Sequence, residues 1–169
     1  GSVGHVRLMQ LDDAGPQNDM RADDQCWDSG GIFDLNVRVR DVAAQSTALH
    51  VLHWHGASSP IRWDFGGLIV KEWLTRGPDN VRLALIERIE PPLPEADQPV
   101  GFGPVFNSSQ IVRDMDTALK FYCGVLGFER AVSFQTGALP SAANVLGLPP
   151  GLASQVSLDL NIVHPKGLV

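Results

Sequence analysis

The sequence predicts an α+β fold in which two copies of one strand–helix–strands unit share a curved sheet, with the helices on its outer face. Three observations carry this. Asn36-Val37-Arg38-Val39-Arg40-Asp41-Val42 lines up with Ser109-Gln110-Ile111-Val112-Arg113-Asp114-Met115 at an offset of 73 residues. Each of these is a strand ending in Arg-Asp, and the Asp is placed to cap a helix by accepting from its orphan backbone N–H groups. Matching tripeptides, Leu52-His53-Trp54 and Leu126-Gly127-Phe128, then close the two helices with one residue of slippage. A repeat near 70 residues is too long for a solenoid, and neither copy can bury both of its faces alone.

The elements follow in order. A strand candidate, Gly4 to Leu11, opens the chain, and a polar stretch without periodicity runs from Asp12 to Gly31. In the first repeat Val42, Leu49 and Leu52 mark a helix. Ile61 to Phe65, Leu68 to Leu74 and Val81 to Ile89 then read as strands, separated by Gly66-Gly67 and by Arg76-Gly77-Pro78-Asp79-Asn80. The second repeat offers a strand at Val105–Val112 and an apolar helical stripe at Met115, Ala118, Leu119, Tyr122, Val125 and Leu126. Gly127 fits a left-handed helix stop. Strands at Glu129–Phe134 and Gln155–Val163 follow, which leaves this copy one strand short. The expected organisation is 1–29 as N-terminal strand plus loop, 30–90 as first module, 91–100 as a stiff Pro-rich linker, and 101–169 as second module.

Composition narrows the function classes. The 169 residues are 44% hydrophobic and 19% charged, ordinary for a globular chain. With 13 basic against 19 acidic residues the net charge is −6, and no basic cluster exists to displace counterions from nucleic acid. No apolar run approaches the roughly 20 residues that span a bilayer. Two cysteines, Cys26 and Cys123, stand in no metal or redox spacing, and no leader pattern opens the sequence. The expected compartment is the cytoplasm.

The stretch Val105-Phe106, then Val112-Arg113-Asp114-Met115-Asp116-Thr117-Ala118-Leu119-Lys120-Phe121-Tyr122, then Val125-Leu126-Gly127-Phe128 resembles the opening strand and helix of the vicinal oxygen chelate superfamily, the glyoxalase, bleomycin-resistance and extradiol-dioxygenase group. Gly77-Pro78-Asp79-Asn80-Val81-Arg82-Leu83-Ala84-Leu85-Ile86-Glu87 is similar to its closing turn and strand. The resemblance implies paired βαβββ modules forming a curved, incomplete mixed-sheet barrel around a cavity. The orphan segment Gly4–Leu11 resembles a closing strand. Either the chain is cut from a longer protein, or this segment completes the second module in permuted order, on its own chain or a neighbour's. The second account expects Val6-Arg7-Leu8-Met9-Gln10 to pair into that module's sheet, with Arg7 at the rim or floor of the cavity.

The resemblance also implies where a metal would sit. Metal-binding members place His or Gln seven residues before the capping Asp, and here those positions hold Asp34 and Asn107. Their Glu ligands on the closing strands correspond to Ala84 and Arg7, of which neither suits a cation. His50, His53 and His55 form a competing cluster near a helix end, without a carboxylate or Cys at ligand spacing, and read as dipole-favoured helix-end residues. Neither cysteine has an evident His partner, Ser108-Ser109 lacks a nucleophile elbow, and the glycines form no phosphate-binding fingerprint.

What remains is a polar stripe. Alternation puts Asp34, Asn36 and Arg38 on one strand face, and Asn107 and Ser109 on the equivalent face of the second opening strand. The resemblance directs those faces into the cavity and matches Arg38 to an Arg that contacts an anionic substrate group in some glyoxalases. Arg7, Trp63 and Trp73 are expected to complete a wall of cationic and aromatic surface. The leading expectation is a glyoxalase-like protein binding a small organic ligand without the family metal, as in drug sequestration. The alternatives are a divalent-metal-dependent lyase, isomerase or dioxygenase, and a non-enzymatic oligomerising module. A small-molecule ligand and a homodimer are the expected partners, with no nucleic acid or membrane.

Overall fold

A computed structural model describes residues 6–10, 12, 15–16, 31–138 and 144–167. It divides into two units, residues 1–111 with 145–147, and residues 112–144 with 148–169. The fold is α+β, with a mixed sheet that does not close into a barrel.

The first unit opens with β1 (Asp34–Val39) and α1 (Val42–Val51). Asp41 caps α1 as the sequence predicts, its carboxylate accepting from the Ala44 N–H at 3.0 Å, and Glu87 accepts from the Val42 N–H at 2.9 Å. Two of the helix's orphan donors are thereby satisfied. A two-residue strand, β2 (His55–Gly56), precedes β3 (Ile61–Asp64), β4 (Ile69–Arg76) and β5 (Arg82–Glu90). The Gly66-Gly67 turn between β3 and β4 is held by Asp64, whose Oδ1 accepts from both glycine N–H groups. Strand β6 (Phe102–Ser109) completes the sheet.

The sheet runs β2-β4-β5-β1-β6, and β3 also pairs with β4, along Ile69 to Glu72, on the edge where β2 pairs with Thr75 and Arg76. β1 pairs in parallel with β5 and antiparallel with β6, so the two opening strands of the repeat lie side by side. One face carries the core, Val37, Val39, Trp73 and Leu85 packed with Val42 and Leu49 of α1. The predicted third position of the α1 stripe, Leu52, is exposed, because the chain turns out of the helix at His53, whose φ is +62°. Trp54 packs on the core in its place.

The second unit contains α2 (Met115–Leu119), which continues as a wider π-helical turn over Lys120–Val125. Asp114 caps it, accepting from the Thr117 N–H at 2.7 Å. Strands β7 (Phe128–Gln135) and β8 (Asp159–Pro165) pair antiparallel, with α3 (Pro150–Ala153) before β8. Val125 and Leu126, predicted on the apolar stripe, are exposed. The Leu126 N–H reaches back five residues to the Phe121 carbonyl, and this wider turn rotates the end of the helix out of the 3.6-residue phase.

One expectation is corrected here, the pairing of Val6–Gln10 into the second module. Of the second repeat, β6 belongs to the sheet of the first unit, while β7 and β8 pair only with each other. In the first repeat the closing strand β5 joins β1 to β4, and among the described residues the second repeat has no counterpart to it. Nor does Val6–Gln10 supply one. It has no strand structure and is exposed throughout, Leu8 at 90%. Cys26 lies outside the described residues.

Candidate functional site

Strand pairing fixes which side chains share a face, because directly opposed residues point the same way. Asp34 opposes Ser109 and Asn36 opposes Asn107 across β1–β6. Arg38 opposes Ile86 on β5, Ile86 opposes Glu72 on β4, and Val70 opposes both Arg88 and Trp63. All of these lie on the face of the sheet turned away from α1. Glu87 confirms the parity, since its carboxylate reaches the α1 N-terminus from the opposite face.

At one end of this face Asp34 and Asn36 are buried. The Asn36 amide donates to Asp34 Oδ1 at 3.0 Å and to Ser109 Oγ at 3.1 Å. Burial raises the Asp34 carboxyl above its ordinary range, partly offset by hydrogen bonds from Ser109 and Asn36 and by the charge of Arg82. Asn107 is on the same face but exposed.

In the middle stands Arg38. A register shift between Asn36 and Val37 sets Phe106 out of the simple ladder, and the Arg38 guanidinium lies 4.0 Å from the centre of its ring. Burial, then the neighbouring charge of Arg88, lowers Arg38 to about 10. Arg88 Nε is buried without an acceptor. Across Ile86 is Glu72, to which the Trp63 indole donates. Burial and the charge of Asp34 push Glu72 up to about 7, with the Trp63 hydrogen bond acting the other way.

Two predicted site residues are elsewhere. Trp73 is next to Glu72 in sequence and therefore on the other face, where it is 1% exposed in the core. Its indole donates to the Ser58 carbonyl at 3.1 Å, and a Cβ on Gly56 would overlap the indole ring. It is a packing residue. Arg7 is exposed on the unstructured N-terminal segment, and no described contact joins it to the face.

Glu72, Arg82 and Arg88 share this face and are not among the residues the sequence singles out. The available signal was their even-numbered spacing on strands whose phase is fixed by β1. At the Arg82 end, a cleft of about 260 Å³ is lined by Phe33, His55, Leu74, Arg76, Arg82 and Leu146.

The family metal does not fit these residues. Asp34 is the one carboxylate at the expected positions, and it is engaged by Asn36 and faces the charge of Arg82. Ala84 has no ligating atom and Asn107 is an amide. Among the described residues no three His, Cys, Asp or Glu side chains converge, so His50, His53 and His55 make no such cluster; His50 Nδ1 is bonded to the Ser46 carbonyl. No helix among them is long and apolar enough to cross a membrane.

Comparison with known proteins places one segment. Residues 104–151, from β6 to α3, match the model of the Glyoxalase/Bleomycin resistance protein/Dioxygenase superfamily. No curated protein and no solved structure matches the chain. Over residues 104–151, which include most of β6 and the Asp114-capped helix, the chain is similar to the vicinal oxygen chelate superfamily.

Proposed function

We propose that this chain is a glyoxalase-like protein that binds a small organic ligand on the Asp34–Arg38 face of its sheet, without the family metal, in the manner of a sequestering protein. One observation carries the reading. Arg38 is a partly buried cation laid on an aromatic ring, with no described carboxylate within ion-pair distance. A structural arginine on a sheet face is ordinarily paired or fully solvated. Beside it, Asp34, Asn36 and Ser109 form a pre-ordered polar group, and Ile86 and Phe106 supply apolar surface. That mixture is the usual composition of a small-molecule site.

Thermal-shift screening against aromatic metabolites and antibiotics, followed by equilibrium dialysis of the hits, tests it. Saturable one-to-one binding weakened in Arg38→Gln is expected. A screen without hits contradicts the reading.

A metal-dependent lyase, isomerase or dioxygenase is the second reading, favoured by the buried Asp34 carboxylate at the expected ligand position. Stoichiometric Ni, Zn, Mn or Fe in protein purified without chelators would establish it over the first.

A further inference from the structure

We infer that His50 and His55 form a two-imidazole site for a divalent transition-metal ion at the C-terminal end of α1. It uses none of the residues at the family's metal positions and is independent of the ligand reading above. The two rings come together because the chain turns out of α1 at His53, with φ +62°, just before β2 begins at His55. Their centres lie 6.1 Å apart at an interplanar angle of 67°. An ion bonded to an imidazole nitrogen sits roughly 3.2 Å from that ring's centre, so one ion can join two rings up to about 6.4 Å apart. Both side chains are exposed, and a small turn of the His55 ring bends that span toward a tetrahedral angle.

Three features favour an ion there. His50 Nδ1 is 2.7 Å from the Ser46 carbonyl, and since a carbonyl oxygen only accepts, Nδ1 carries the hydrogen. The neutral ring then has its lone pair on Nε2, and tethering through the other nitrogen is how metal-binding histidines are ordinarily oriented. The His50 ring also lies against Trp73, centres 5.0 Å apart, which holds its plane. Finally, His50 is in the last turn of α1, where the helix dipole is negative and favours a cation. Arg76 opposes His55 across β2–β4, and its charge works against an ion. Among the described residues no third His, Cys, Asp or Glu side chain joins the pair. Two nitrogen ligands select a borderline ion such as Zn²⁺ or Cu²⁺ over Mg²⁺ or Ca²⁺, and leave the other positions of the centre to water.

The test titrates Zn²⁺ alone into the whole protein while the histidine ring nitrogens are followed by NMR, with Mg²⁺ as the hard-ion control. Saturable one-to-one Zn²⁺ binding that moves the His50 and His55 signals together is expected, with no response to Mg²⁺. His50→Gln and His55→Gln should each weaken binding by about tenfold or more. His55→Gln leaves the His50–Trp73 contact in place, so disturbed packing does not account for its loss. Arg76→Gln should tighten binding, while His53→Gln and Asp34→Asn should leave it within about twofold. Absence of saturable binding, separate affinities at the two histidines, or binding that survives the loss of either one overturns the inference. Zn²⁺ that is lost in Asp34→Asn and kept in His50→Gln also overturns it, and places the metal where the lyase, isomerase or dioxygenase reading expects one. The Arg38 ligand reading stands or falls separately, on the small-molecule screen.

Discussion

Glu72 and Trp73 are consecutive residues of β4 whose side chains serve opposite faces of the sheet. Glu72 accepts from Trp63 on the polar face, while Trp73 fills the core against Val37, Val42 and Leu85. One residue of strand parity thus separates a candidate site group from a packing group. It also assigns the two tryptophans, Trp63 to the site face and Trp73 to the core.

Glu72 makes stability depend on pH. Its carboxyl is raised from 4.5 to about 7, so the folded protein retains a proton that the unfolded chain releases. The associated stability is complete below about pH 4.5, is lost as pH rises toward 7, and is absent above it. The upper limit is about 3 kcal/mol. Glu72→Gln keeps an acceptor for the Trp63 indole and removes the titration. Urea denaturation should show the variant more stable than the parent at pH 8 and nearly equal at pH 4.5. Parallel stability curves for the two proteins would contradict this.

Trp73 should behave as core. Trp73→Ala is expected to cost about 3–5 kcal/mol, as for other large buried aromatics. Trp73→Phe should lose less and leave ligand affinity within about twofold. Weakened binding by a Phe variant of unchanged stability would return the indole to the site.

The repeat is visible in backbone conformation at its two helix ends. His53 has φ +62° and Gly127 has φ +72°, at the same position of the matching tripeptides. A β-carbon is disfavoured there, so His53→Gly should stabilise by about 0.5–1 kcal/mol and Gly127→Ala should destabilise by about 1 kcal/mol. Thermal denaturation of both variants checks the pair.

The N-terminal segment should tolerate change. With Leu8 and Met9 at 90% and 77% exposure, replacing both by Ser should alter stability by less than about 0.5 kcal/mol. A larger loss would mean that this segment docks after all.

Much of the fold was legible because its signals are local. Asp41 and Asp114 announce their helices through the chemistry of a cap, and Gly66-Gly67 announces a hairpin through its turn. Asp34, Asn36 and Arg38 were found together because two-residue alternation keeps them on one face of a single strand. Relations between strands were not legible. The β4 sequence Ile69–Arg76 has apolar residues in both phases, and its parity relative to β1 is set through β5, which lies between them. Hence Trp73 was expected in the site while Glu72 and Arg88 were not. The π-helical turn at Lys120–Val125 changes the helical period without a residue that marks it. Val6–Gln10 has the composition of a strand, but a strand also needs a partner edge, which composition cannot specify.

The central claim is that ligand binds the face shared by Arg38, Glu72 and Trp63. The most direct measurement follows the indole N–H resonances of a titration with any compound the screen identifies. Trp63, bonded to Glu72, should shift progressively with ligand, while Trp73, bonded to the Ser58 carbonyl on the core side, should stay in place. A ligand that moves Trp73 and leaves Trp63 unchanged would contradict the claim.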